Sequence, residues 1–168
     1  MNLEISKTGK YIPENKVNNI EIEKKFNLEE GYILKRTGIK NRNNVKEEEI
    51  EEIALKAVIN LLEKTKEKTK IDIDLIITST TTTNKLMPGI SNYIQKELNI
   101  KKCICLDILS GCAGFINAFE IACLYIQTKK IKRALVIGVD ILSKVMRRKW
   151  HRNTNIISRW SRSSIIRG

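Results

Sequence analysis

The stretch DILSGCAGFINAFEIA, Asp107 to Ala122, places one cysteine, Cys112, directly after Gly111 and two residues before Gly114. An apolar run leads into it and a helical pattern follows, so the thiol falls at a strand-to-helix junction. Such a junction offers unpaired backbone N–H groups and the positive end of a helix dipole, and both stabilise thiolate over thiol. The two glycines keep side chains off the approach and permit a sharp turn. The chemistry this setting favours is nucleophilic, a thiolate attacking a carbonyl to form a covalent intermediate. A buried packing thiol is the alternative, since free cysteine is among the most buried residue types.

Other candidates are poorer. Cys103, Cys105, Cys112 and Cys123 contain no C-x-x-C pair, and the only histidine is His151, so no zinc site is expected. Cys103 and Cys105 are expected on one side of a strand as small reduced thiols. Residues 1–143 hold no histidine to pair with Cys112, and His151 beside Trp150 in a basic segment reads as incidental. The run Thr78–Thr83 suits either a pocket at the carboxyl end of a strand or a threonine-rich strand end. VIGVD offers a glycine after a strand but no G-x-G-x-x-G and no P-loop, so nucleotide binding is not supported.

The elements that must position these residues follow from periodicity. In EIEEIALKAVINLLEK, Ile50, Ile53, Ala54, Ala57, Val58, Leu61 and Leu62 recur at three- and four-residue steps and predict an amphipathic helix. IDIDLIITST reads as a buried strand, and Pro88 as the first turn of a helix with Ile90, Ile94 and Leu98 inward. CICLDIL and RALVIGVDIL are further strands. Between them lies a helix with Phe115, Phe119, Ala122 and Ile126 on one face. The first forty residues read as a strand, a loop and short helical segments. Alternation of strands with crossover helices predicts an α/β fold with a mainly parallel sheet and covering helices.

Composition sets the outer limits. At 168 residues, 42% of them hydrophobic, the chain suits one globular domain, and no stretch is long and apolar enough to span a bilayer. MNLEISKTGK has no apolar secretory core, so a cytoplasmic location is expected. The net charge of +12 is unevenly spread. From Lys144 onward stand eight basic residues and no acid, whereas residues 1–143 carry 23 basic and 19 acidic side chains. The excess therefore belongs to the end of the chain, and nucleic-acid binding is not the expected function.

Five stretches in order carry a resemblance: GKYIPENKVNN, KRTGIKNR, DIDLIITSTTT, DILSGCAGFINAFEIA and RALVIGVDILSK. Together they resemble the N-terminal half of β-ketoacyl-ACP synthase III, a condensing enzyme of fatty acid biosynthesis in the thiolase superfamily. The resemblance covers residues 3–144 with spacings kept. It implies a thiolase-like fold and an acyltransferase in which Cys112 accepts an acyl group from acyl-CoA before condensation with malonyl-ACP. Arg36 matches a position that contacts coenzyme A. Tyr32 stands where many members have a tryptophan that stacks on adenine. Met87 matches a residue that reaches into the acyl pocket of the dimer partner. The resemblance also implies a homodimer, acyl carrier protein as partner, acyl-CoA as substrate, and no cofactor, metal or membrane. The family's catalytic histidine and asparagine lie in the second half of a longer chain. This sequence is accordingly expected to be a truncated member, with residues 1–157 as the thiolase-like domain.

HRNTNII keeps part of the family's next segment, with Arg152 as a second coenzyme A contact. Residues 158–168 are expected to be a non-family tail. One permitted coding of Arg159–Gly168, read one base later, gives Asp-Gly-Ala-Gly-Ala-Val-Leu-Leu-Glu, which resembles the motif expected there. A shifted reading frame would explain the Arg/Ser bias. Two other functions compete: a thiolase-superfamily enzyme with a different acyl-CoA reaction, such as a hydroxymethylglutaryl-CoA synthase-like or specialised-product enzyme, and a non-catalytic protein whose basic tail binds nucleic acid.

Overall fold

The apolar runs become strands of a five-stranded sheet in the computed structural model, which describes residues 3–64, 72–83, 85–143 and 161–167. The described residues form two compact units, one of residues 3–11, 48–64, 72–83, 85–140 and 161–167, the other of residues 12–47 and 141–143.

The first unit holds β1 (Glu4–Tyr11), α3 (Ile50–Glu63), β4 (Leu75–Ser79), α4 (Ile90–Glu97), β5 (Ile104–Ile108), α5 (Gly114–Gln127), β6 (Arg133–Gly138) and β7 (Ser161–Arg167). Its strand order is β1-β7-β6-β4-β5. β4 runs parallel to both β5 and β6, with Ser79 opposite Ile108 on one side and Gly138 on the other. β7 runs antiparallel to β1 and β6. The parallel arrangement read from the sequence therefore holds for β5-β4-β6, while the sheet as a whole is mixed. The parallel strands are the ones that helices connect, β4 to β5 through α4 and β5 to β6 through α5, as parallel neighbours require.

Period-two alternation sorts β4 between two layers. Leu75 and Ile77 join Ala134 and Val136 of β6 in a buried cluster with Ala118, Ala122 and Ile126 of α5. On the opposite face, the Thr78 hydroxyl and the Ser91 hydroxyl of α4 are hydrogen-bonded at 2.8 Å. The helix predicted over residues 49–64 is α3. It buries Ile50, Ile53, Ala54, Ala57, Val58 and Leu61, and the Glu52 carboxylate accepts from the Glu49 N–H at 3.0 Å to close its first turn. Gly9 lets β1 lie directly against this helix, because a Cβ there would stand 2.5 Å from the Ala57 carbonyl oxygen.

Pro88 lies outside the helix it was expected to open. The Met87–Pro88 peptide bond is cis, Gly89 is the N-cap, and α4 begins at Ile90. Its inner residues Ile90 and Ile94 are fully buried as the pattern predicts.

The second unit contains β2 (Lys16–Asn18) paired antiparallel with β3 (Asn41–Asn43), and between them α1 (Asn19–Lys25) and α2 (Tyr32–Thr37). Asn18 caps α1 by accepting from the Glu21 N–H at 2.9 Å. Gly31 and Gly38, at φ of 80° and 67°, bracket α2 with left-handed residues that favour glycine. No described helix is long and apolar enough to cross a membrane.

Candidate active site

Cys112 is exposed, in a single 3₁₀ turn, Gly111–Ala113, between the end of β5 and the start of α5. The junction expected from the sequence is therefore present, with the thiol one short turn ahead of the α-helix rather than in it. Gly111 has φ of 54°, a left-handed conformation that glycine adopts without strain. The N-cap of α5 is Ala113, whose side chain makes no capping bond, and the Gly114 N–H donates to the Gly111 carbonyl, so the 3₁₀ turn runs directly into the positive end of the α5 dipole.

The parallel register brings the carboxyl ends of β4, β5 and β6 to the same edge as Cys112, where ligands of α/β sheets collect. Close packing fixes the thiol's support there. A Cβ on Gly114 would lie 2.0 Å from the Ser79 hydroxyl of β4, and one on Gly138 would lie 3.0 Å from the Phe115 ring. Asn117, one turn into α5, donates to the Ser110 hydroxyl just before the 3₁₀ turn.

The Ser/Thr run divides by role. Thr78, Ser79 and Thr80 are buried as strand-end residues. Beyond them, the Thr81 N–H and hydroxyl both donate to Asp140, at 2.8 and 2.7 Å, so this loop is tied to the end of β6.

Met87 is 86% exposed and Leu86 96% exposed, in the loop before α4. Their anchor is Asp107 of β5, whose carboxylate accepts from the Ile90 and Ser91 N–H groups, the latter at 2.9 Å. Ser91 in turn donates to the Leu106 carbonyl at 2.8 Å. One carboxylate on the strand leading to Cys112 thus also holds the helix end behind Met87. Gly89 is required for this approach, because a Cβ there would meet Asp107 at 2.6 Å. Periodicity reads Asp107 only as part of a strand. A charged residue inside an apolar run was the available signal.

In the second unit, Tyr32 and Arg36 lie one turn apart on α2, the guanidinium 4.6 Å from the ring centroid, a cation–π contact. Arg152, with His151, lies outside the described residues. Among the described residues no group of three His, Cys, Asp or Glu is placed to hold a metal ion.

The other three thiols are half-buried, whereas Cys112 is exposed. Cys103 and Cys105 do share one side, with sulfurs 3.5 Å apart. Burial pushes the Cys105 thiol up to about 12, and the neighbouring Cys103 adds to this. Burial also raises Cys103 and Cys123 above the ordinary thiol range. At pH 8 a thiol at about 12 is ionised to only about one part in ten thousand. A maleimide at pH 8 is therefore expected to modify Cys112 first, as read by peptide mass mapping of a time course. Earlier labelling of Cys105 would contradict this ordering.

The sequence and fold have close counterparts. Residues 106–158 match the family model for 3-oxoacyl-[acyl-carrier-protein] synthase III. The chain is 36% identical over 145 residues to a β-ketoacyl-[acyl-carrier-protein] synthase III of Clostridium novyi, an alignment covering 86% of this chain and 44% of that protein. The crystal structure of the 3-oxoacyl-[acyl-carrier-protein] synthase III of Aquifex aeolicus superposes with a TM-score of 0.91 at 31% identity, covering 99% of this chain and 54% of that one. The β-ketoacyl-[acyl carrier protein] synthase III of Thermus thermophilus gives 0.89 at 26% identity, covering 98% and 51%. The chain thus spans about half the length of the relatives it matches. In both sequence and thiolase-like fold, it corresponds to the N-terminal half of the β-ketoacyl-[acyl-carrier-protein] synthase III family.

Proposed function

We propose that this chain carries the acyl-accepting half of a β-ketoacyl-ACP synthase III reaction, with Cys112 as the nucleophile. The observation that carries the reading is an exposed thiol in a glycine-bounded turn at the carboxyl end of β5, within the segment matched by the family model. The Cys112 thiolate attacks the thioester carbonyl of acyl-CoA. Collapse of the tetrahedral adduct breaks the bond to the coenzyme A sulfur, which leaves as thiolate and takes up a proton. One thioester replaces another, so the step needs no redox partner. The positive end of the α5 dipole, just after Cys112, favours the anionic sulfur and the developing oxyanion.

Tyr32 and Arg36, together with Arg152, bind the coenzyme A portion in this reading, and Met87 enters the acyl pocket of a second protomer in a homodimer. Condensation with malonyl-ACP then requires the histidine and asparagine that the family supplies from its other half. The test is incubation with radiolabelled acetyl-CoA followed by mapping of the label. Wild type is expected to carry a hydroxylamine-sensitive acetyl group on Cys112, and Cys112→Ser none. Label that persists in Cys112→Ser, or wild type that takes none, would overturn the assignment.

The segment after Ile157 is part of the same proposal, as a stretch read out of the ancestral frame. Nucleotide sequence across codons 156–168 tests it: a single-base change must restore the expected Asp-Gly-Ala-Gly-Ala run.

A further inference from the structure

α1 is a short, mostly charged helix, NIEIEKK, yet two of its polar residues are buried: Asn19, 8% exposed, and Glu23, 3% exposed. They are four residues apart and therefore lie on one face. Burial of a carboxylate and an amide is costly unless each finds partners, so where their hydrogen bonds go defines what they do.

Both serve α2. The Glu23 carboxylate accepts from the Gly31 N–H at 3.1 Å and from the Ile33 N–H at 2.8 Å, one oxygen for each. Those two amides flank Tyr32 in sequence, and the N-cap residue Gly31 offers no side chain to satisfy them. At the other end, the Asn19 amide donates to the Ile39 carbonyl at 2.7 Å, while its oxygen accepts from the buried Arg42 guanidinium at 2.7 Å. Thr37 completes that exit, donating to the Ile33 carbonyl at 2.7 Å and accepting from the Ile39 N–H at 3.2 Å. One turn of α1 therefore grips α2 at its entry and its exit. Between those grips α2 presents half-buried Tyr32 and exposed Arg36 as a stacked pair.

A six-residue helix has little stability of its own, and left-handed glycines on both sides give its ends freedom to swing. We infer that Glu23 and Asn19 are positioning residues for the nucleotide half of coenzyme A, holding the Tyr32–Arg36 pair in register from behind. This inference rests on the assignment of Tyr32 and Arg36 to coenzyme A binding. Glu23 carries the greater share, because both of its oxygens act on the amides that flank the stacking ring.

The experiment compares two acyl donors on the full 168-residue chain. Acetyl-CoA carries the nucleotide, whereas S-acetylpantetheine carries the same thioester without it. The readout is the rate constant for acetylation of Cys112 with each donor, followed by intact-protein mass spectrometry. Wild type is expected to prefer acetyl-CoA. Glu23→Gln keeps the size of the side chain but has a single acceptor oxygen, so one of the two amides loses its partner. It is expected to lower the acetyl-CoA preference about tenfold, the scale of a lost hydrogen bond to a charged group. The S-acetylpantetheine rate is expected to stay at the wild-type value, which also shows that the variant is folded. Asn19→Asp, unable to donate to the Ile39 carbonyl, is expected to move the ratio in the same direction. A Glu23→Gln protein with the wild-type preference, or one in which both rates fall together, overturns the inference. A wild type that uses both donors equally overturns the assignment of Tyr32 and Arg36 themselves, and leaves the acylation of Cys112 standing.

Discussion

Gly9→Ala is expected to destabilise the protein by the upper end of, or beyond, the ~1–3 kcal/mol typical of overpacking. The added Cβ would stand 2.5 Å from the Ala57 carbonyl oxygen, 2.5 Å from the Leu61 Cβ and 2.7 Å from the Leu61 nitrogen. Two of the three are backbone atoms of α3, so no rotamer change relieves the overlap. Ala57 and Leu61 are fully buried, which leaves the helix no space to recede. Relief requires β1 to move away from α3, and β1 is hydrogen-bonded along its length to β7. A loss of ~3 kcal/mol in a domain of this size lowers the melting temperature by about 10 °C. Thermal unfolding followed by circular dichroism measures it. A melting temperature within about 2 °C of wild type would show that β1 and α3 separate at little cost.

Gly9 also shows what kind of information a sequence carries. In GKYIPENKVNN it is one small residue in a strand, and nothing local reveals that a helix forty-eight positions later passes directly over it. The elements themselves were more legible. α3 was readable because Ile50, Ile53, Ala57, Val58 and Leu61 recur with the helical period, and all of them are buried. β4 was readable as a doubly covered strand because Leu75, Ile76 and Ile77 run without a polar break. β7 was not read at all, since residues 161–167 lay in the expected tail, and its antiparallel pairing with both neighbours is a property of the assembled sheet.

The site divides in the same way. Cys112 was legible because glycine, apolar strand and helical period converge on one position. Tyr32, Arg36 and Met87 became candidates through resemblance alone, as their types and spacing are ordinary. Arg152 falls outside the described residues. The residues that hold the candidates in place were not legible. Asn19 and Glu23 sit in a charged helix whose composition suggests a solvated face, yet both are buried, Glu23 bonded to the entry of α2 and Asn19 to Ile39 and Arg42 beyond its end. Asp107 reads as one interior residue of a strand, while its carboxylate anchors α4 from across the layer. Such groups satisfy backbone donors that belong to other segments, and the need for them exists only after those segments meet.

The same logic makes Gly114→Ala a direct test of how Cys112 is supported. Replacing glycine by alanine in a helix ordinarily stabilises by up to about 1 kcal/mol, through backbone entropy. Here the new Cβ would meet the Ser79 hydroxyl at 2.0 Å and the Ser79 Cβ at 3.3 Å. Ser79 is 5% exposed, so its side chain has little free volume to enter. The contact is expected to outweigh the propensity gain, with a net loss of ~1–3 kcal/mol. Unlike Gly9, the obstacle is chiefly one side-chain oxygen, so it can be removed. Ser79→Ala in the same chain is expected to restore more than half of the lost stability, leaving only the tight Cβ contact. Acetylation of Cys112, two residues before Gly114, should follow the same order: slowed by at least tenfold in Gly114→Ala, as a displacement of about 1 Å can cost more than that, and largely recovered in the double variant. A double-mutant cycle on both stability and rate reads the coupling. If the two substitutions add independently, Ser79 is not what holds the start of α5, and the thiol takes its position from the 3₁₀ turn alone.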